Sequence, residues 1–272
     1  MVKNSKLRIF YNKVYKKGED KHFTLFVTKG TPTDEIKEVL KEILWKSNSW
    51  KNKSILDVGC GTGLFAHKVS KLGGGPKQVL GIDFSKEAIK IAIKTHKNHN
   101  LQYQVLDVKE IKSKYDVIVS LGTLEHMDNP LKTLKILKKH LTKNGKIIVT
   151  SPNWTNPRGY VLMTLWYLFN APITLADLHY QTPVDFQNYA KKLSMSLKWR
   201  TIDRSWAHGE ILIRDFQRRL PNVLRDAKLP KNSKNIENFL NWLKVNVTSF
   251  DNTLPHSGAT GLYVFSLKTK SK

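Results

Sequence analysis

The chain has 272 residues, 40% of them hydrophobic, with a formal net charge of +24 and one cysteine, Cys60. That length and apolar content suffice for the core of one large α/β domain. A lone cysteine excludes an internal disulfide and a cysteine-built zinc site, and points to a reducing, cytoplasmic compartment.

No stretch approaches the ~20 apolar residues of a membrane span. The longest candidate, YVLMTLWYLF at 160–169, would be only about 15 Å long as a helix, which leaves a pocket lid or a shallow peripheral membrane contact as its readings. The start, MVKNSKLRIFYNKVYKK, lacks the continuous apolar segment of a secretion signal. The charge would suit RNA, DNA or an anionic membrane face. Only 8 of the 46 basic residues are Arg, whereas phosphate-reading surfaces favour Arg forks as well as Lys. A solvated lysine-rich surface therefore stands beside the nucleic-acid reading.

Residues 1–33 form a basic arm with Phe10, Tyr11, Tyr15, His22, Phe23 and Phe26, too aromatic for a solvated tail. Thr33 reads as an N-cap, with Asp34 and Glu35 in the first turn of a helix that ends near Asn48 and shows Ile36, Val39, Leu40, Ile43 and Leu44 as one apolar stripe. Next comes KSILDVGCGTG at 53–63. Ile55, Leu56 and Val58 predict a buried parallel strand, and Gly59, Gly61 and Gly63 a tight turn into the helix LFAHKVSKL. Glycine there permits positive φ and lets a ligand lie on the backbone, while the helix start offers N–H groups to an anion.

A dinucleotide fingerprint needs G-x-G-x-x-G, and Leu64 occupies its third glycine slot. The pattern D-x-G-x-G-x-G instead resembles the first motif of class I S-adenosylmethionine-dependent methyltransferases. The resemblance implies that Asp57 reaches the cofactor's ammonium group and that Gly59, Cys60, Gly61 and Gly63 lie against its methionine part. Cys60 is then a small filler within the loop. It further implies that the aromatic leader crosses the cofactor mouth, where Tyr11 or Tyr15 could line it, against plain packing as the alternative.

The strand QVLGID ends at Asp83, 20 residues beyond Gly63, where an acid can accept hydrogen bonds from both ribose hydroxyls or merely cap the next helix; Phe84 could stack on the adenine, and Ser85 caps the next helix. The third strand, LQYQVLDV at 101–108, ends in Asp107. In the resemblance Asp107 accepts from the adenine amino group with the Val108 N–H close by, whereas a local reading makes Asp107 a cap for Lys109 onward. The strand YDVIVS carries Ser120 to the same edge. Asn129-Pro130 opens the helix LKTLKILKKHL, with its leucines inward and its lysines solvated. GKIIVTSPN at 145–153 supplies a fifth strand, so the elements predict an open, doubly wound sheet with right-handed crossovers that binds ligands at its carboxyl edge.

Beyond 154 the pattern weakens: an aromatic insertion from Trp154 to Phe169, LHYQTPVDFQNYAKKLSM, the strand LKWRTID, an irregular region at 204–258, and the strand GLYVFSLK. The resemblance implies a single domain over 1–272 with a seven-stranded, mostly parallel Rossmann-like sheet whose last strand is antiparallel. Residues 34–153 would be the cofactor-binding half. Residues 154–272 would shape the acceptor site, with helical insertions at 154–180 and 204–258.

Methyl transfer from a sulfonium asks the protein for positioning and for removal of a proton from a hydroxyl acceptor; neither a metal nor a covalent intermediate is required. His126, in LEHMDNP, is the candidate base, since neutral imidazole accepts a proton near neutrality; ordering the loop is the competing role for Glu125-His126. Trp154, His179 and Tyr15 are candidate acceptor contacts. LEHMDNP, the SPN after the fifth strand and a His shortly before a Thr-Pro helix start resemble the small-molecule branch that includes ubiquinone-biosynthesis O-methyltransferases. The slot Ser120-Leu121-Gly122-Thr123 lacks the Pro-Pro-aromatic motif of exocyclic-amino methyltransferases. The expected activity is methylation of an oxygen or nitrogen of a small-molecule acceptor; an RNA methyltransferase and a non-catalytic cofactor-binding module are the rivals.

Overall fold

The computed structural model describes residues 9, 12 and 15, 34–44, 51–174, 177–202, 209–247 and 256–268. The expected cap Thr33, the helix end near Asn48, and Phe10, Tyr11, His22, Phe23 and Phe26 of the arm lie outside the described residues. Helix α1 (Asp34–Leu44) precedes strand β1 (Ser54–Val58), α2 (Leu64–Ser70), β2 (Gln78–Asp83), α3 (Lys86–Thr95) and β3 (Leu101–Val105). Then follow β4 (Tyr115–Leu121), α4 (Pro130–Lys139), β5 (Leu141–Pro152), α5 (Pro157–Phe169), α6 (Pro183–Leu193), β6 (Met195–Ile202), α7 (Gly209–Asp226), α8 (Ser233–Asn246) and β7 (Thr260–Leu267).

The seven strands form one sheet in the order β3-β2-β1-β4-β5-β7-β6. β1 pairs parallel with β2 and with β4, and the last strand in the chain, β7, runs antiparallel to both of its neighbours. The connections from β1 step outward through β2 to β3, while those from β4 step the other way to β5. The crevice where winding reverses therefore opens at the tips of β1 and β4.

Continuous apolar runs in β1 and β4 are explained by cover on both faces. Leu56 and Ile118 pack with Leu134, Leu137, Phe186 and Phe265 on one side, while Ile55, Val117 and Val119 pack with Phe65, Val69 and Val39 on the other. Neighbouring residues of a strand point to opposite faces. The cover on the second side thus includes α1, as its stripe of Ile36, Val39 and Leu40 foretold.

Local capping follows the sequence closely. Ser85 accepts from Ala88 N and Asn129 from Lys132 N, each opening its helix as read. β3 stops at Val105, short of the expected 101–108, because Asp107 begins a separate turn, Val108–Glu110.

The segment 204–258, irregular by its own pattern and a helical insertion by the resemblance, holds two helices among its described residues, α7 and α8. Leu212, Phe216, Leu220 and Val223 of α7 are buried at helical spacing with Leu240 and Leu243 of α8, Trp154, and Leu162 of α5. Pro221 sits inside α7. A proline in a helix interior costs about 3 kcal/mol or more, so it reads as a break in sequence; burial of the stripe holds the helix through it.

Candidate active site

The turn after β1 is built for close approach. Gly59 and Gly63 have φ of +73° and +84°, a region that L side chains rarely adopt. A Cβ on Gly59 would overlap Thr123, and one on Gly63 would overlap the Tyr103 ring. Packing of the loop against the protein, beyond ligand access, thus fixes both glycines. The N–H groups of Gly59 and Cys60 donate to the Ile82 carbonyl at 2.8 and 3.0 Å, tying the turn to β2.

Asp83, at the tip of β2, holds the same turn. Its Oδ2 accepts from Gly61 N at 3.0 Å and its Oδ1 from Ser85 N at 2.8 Å. Burial raises its pKa, against the opposing effect of these N–H donors. Asp57 is 2% exposed, and its Oδ2 has no hydrogen-bond partner among the described residues. Burial, and then the negative charge of Asp83, pushes its pKa up to about 7. A buried carboxylate oxygen without a donor is costly; a cationic ligand group in the crevice would satisfy it.

A cavity of ≈ 850 Å³ opens beside this turn. Its walls include Asp57, Gly59, Cys60, Gly61, Asp83, Phe84, Asp107 and Val108, together with Tyr15, whose hydroxyl lies 3.2 Å from where a Cβ of Gly61 would stand. Asp107 is also the cap of its short turn, accepting from Lys109 N at 2.9 Å while its own N–H donates to Glu110 Oε2 at 3.0 Å. The same cavity reaches Glu35, Gly122, Thr123, His126, Asn129 and Arg158.

His126 is held in place by a clamp that sequence reading did not find. Its Nδ1 lies 3.3 Å from Asp177 Oδ1. The next two residues, Leu178 and His179, donate their backbone N–H groups to the Glu125 carbonyl at 2.9 and 3.2 Å, and the His179 ring bonds the Met127 carbonyl at 2.9 Å. Glu125 is buried, with Oε2 accepting from Ser151 Oγ at 3.3 Å, and burial followed by the charge of Asp177 raises its pKa well above the usual carboxyl range. Burial raises the Asp177 pKa also, against the His126 charge. Glu125, His126 and Asp177 place ligand atoms within 4.8 Å of one another, a spacing that a metal ion could bridge.

Four expected site residues do not line the cavity. Ser120 is fully buried inside β4 opposite Val149, and its Oγ has no partner among the described residues. Gly63 starts α2 behind the turn. Trp154 belongs to the apolar cluster under α5, edge-on to Tyr180. The His179 ring is bonded to the loop carbonyl of Met127 just described. The slot after β4 contributes Gly122 and Thr123 in place of Ser120.

Arg158 was not anticipated. Asn156 caps α5 by accepting from Gly159 N at 2.8 Å, with Pro157 at the first helical position. The cap turns Arg158 toward the cavity wall and toward α7. There Arg158 Nε bonds Asp215 Oδ2 at 2.9 Å, and Arg219 grips the same carboxylate through Nε at 3.0 Å and Nη2 at 3.1 Å. Although burial alone would raise it, the hydrogen bonds and charges of Arg219 and Arg158 hold the Asp215 pKa at about 2. The only sequence trace is the Asn-Pro-Arg start of α5.

Comparison with known proteins adds an independent line. The family described as "Methyltransferase domain" matches over residues 49–241. A ubiquinone biosynthesis O-methyltransferase of Aeromonas salmonicida is 31% identical over 127 residues, 44% of this chain and 51% of that protein. A tRNA U34 carboxymethyltransferase of Campylobacter fetus is 34% identical over 106 residues, 36% of each chain. The chain therefore spans about half the length of the first relative and about a third of the second. The magnesium protoporphyrin IX methyltransferase of Synechocystis PCC 6803, solved with bound SAH, shares the fold with a TM-score of 0.55 at 16% identity, over 71% of this chain and 90% of that one. Among the described residues no helix is long and apolar enough to cross a membrane.

Proposed function

The chain belongs to the methyltransferase-domain family, and from that premise we propose that it transfers a methyl group from S-adenosylmethionine to an oxygen or nitrogen of a small-molecule acceptor. The observation that carries this reading is one cavity lined both by the glycine turn with its strand-tip acids and by a carboxylate-paired histidine. A dehydrogenase would need the third glycine of its fingerprint at Leu64.

When bound, the cofactor supplies a methyl group already activated on a positive sulfur. Asp57 Oδ2, which has no donor among the described residues, would hold the ammonium group. Asp83 would accept from the ribose hydroxyls while keeping the Gly61 N–H, since each carboxylate oxygen has two lone pairs. Asp107 and the Val108 N–H would hold the adenine and Phe84 would stack on it, while Tyr15 lies against the loop at Gly61.

His126 takes the proton of the acceptor. With its proton on Nδ1 directed to Asp177, the ring offers Nε2 as the base, and the carboxylate stabilises the imidazolium that forms. His179 and the Glu125 carbonyl keep the loop from swinging the base away. No step calls on a metal, although the Glu125, His126 and Asp177 set could hold one. A chain with one cysteine accords with a cytoplasmic setting.

A second reading, methylation of RNA, is favoured by the +24 charge and by the likeness to a tRNA-modifying enzyme. Radiolabel decides between them. Incubation with methyl-labelled cofactor should label a component of a small-molecule extract. Label in purified RNA alone would transfer the assignment to the second reading, and cofactor binding without label in either would indicate a non-catalytic module.

A further inference from the structure

The Arg158 guanidinium is more buried and less used than a structural role requires. Its side chain is 13% exposed, Nε is spent on Asp215, and the group lies over the Trp154 ring with Cζ 5.8 Å from the centroid. Among the described residues neither Nη group engages an acceptor, and the residue lines the cavity that also holds His126. Burial lowers its pKa, the mark of a cation short of solvation.

Neutralising Asp215 does not explain it. Arg219 already forms a two-bond fork with that carboxylate, spends its third donor on the Ile173 carbonyl at 3.0 Å, and is joined by the half-exposed Arg218 at 3.4 Å. Asp215 is thus held by Arg219 without Arg158. The charge of Asp177 also bears on Arg158 and Arg219, but among the described residues no carboxylate bonds the Nη groups of Arg158. Nearly buried guanidinium N–H groups without an acceptor are costly unless something pairs with them.

We propose that the methyl acceptor is an anion, a carboxylate or a phosphate, held by the free Nη edge of Arg158 in the cavity shared with His126. Anchoring of Nε to Asp215 pre-orients that edge, and two parallel N–H groups match two oxygens of either anion. Apolar side chains in the same cavity, Ile36 and Met127 among them, fit an acceptor with an apolar body. The inference deepens the methyltransferase reading and rests on it only for what else occupies the cavity.

The test is calorimetric titration of the full chain saturated with S-adenosylhomocysteine, using benzoate, phenyl phosphate and the neutral methyl benzoate. At least one anion should bind about tenfold or more tighter than the ester, an advantage that Arg158→Gln removes while the homocysteine nucleoside binds within about twofold of the parent. The anion that binds tighter names the group. Equal or absent binding of acid and ester, or an anion affinity that Arg158→Gln leaves intact, overturns the proposal. Arg158→Lys, which keeps the charge and loses the fork, serves if the glutamine variant does not fold, and should lose most of the same advantage. Failure to bind S-adenosylhomocysteine would instead overturn the methyltransferase reading, and the same three probes on the unloaded chain would then judge Arg158.

Discussion

The two walls of the cavity are made in different ways. The wall at the tips of β1 and β2 is local: Asp57, Gly59, Gly61 and Asp83 lie on two adjacent strands and their turns, tied by the Gly61 N–H to Asp83 Oδ2 and by the Gly59 N–H to the Ile82 carbonyl. The wall around His126 and Arg158 is assembled across the chain, with Met127 bonded 52 residues away to His179 and Arg158 57 residues away to Asp215. The first is a rigid cradle that a short motif can encode. The second depends on the helices α5 and α7 docking correctly, so it is free to change with the acceptor.

That contrast gives separable outcomes. The largest effect is expected from His126→Ala, which should lower turnover by about 10²–10⁴-fold while cofactor affinity stays near that of the parent; a turnover equal to the parent's removes His126 as the base. Next, Asp215→Ala leaves Arg158 and Arg219 without their carboxylate and should cost roughly 3–5 kcal/mol in chemical denaturation. A loss below 1 kcal/mol would mean that the acceptor wall does not depend on this cluster.

On the local wall, Asp83→Ala should weaken cofactor binding by roughly 1.5–3 kcal/mol, the range for a hydrogen bond to a charged group. Calorimetry at a temperature where the variant remains folded checks it, because the same change also frees Gly61 N and Ser85 N. The smallest effect is one of pH. With the Asp57 pKa near 7 in the empty pocket, its carboxyl must lose a proton to receive an ammonium group, so affinity should rise with pH up to about 7 and level off above. Below 7 the expected weakening approaches tenfold per unit, since one proton is displaced. Asp57→Asn should flatten the profile, and a parent profile already flat between pH 5.5 and 8 would deny Asp57 that contact.

The raised pKa of Asp57 also sets a sign for stability. The folded state binds this proton more tightly than the unfolded chain, so the group's contribution is fully present below the ordinary aspartate pKa and is lost as pH rises toward 7. A bound ammonium group would reverse that loss, which links cofactor binding to pH tolerance.

By itself the sequence determined the doubly wound sheet, the β1 turn and the strand-tip acids Asp57 and Asp83, because apolar runs, glycine spacing and caps act within a few residues of one another. It also marked His126 as a residue of interest. Tertiary structure alone decided that Asp177 and His179 clamp the His126 loop, that Trp154 and Ser120 are packed away from the cavity, and that Arg158 reaches it. It also carried α7 through Pro221, where local propensity argues against a helix and the buried stripe of Leu212, Phe216, Leu220 and Val223 prevails. Contacts between residues more than 50 positions apart leave no periodicity in the chain. They are fixed by which helix faces find apolar cover, and that is settled only when the whole core closes.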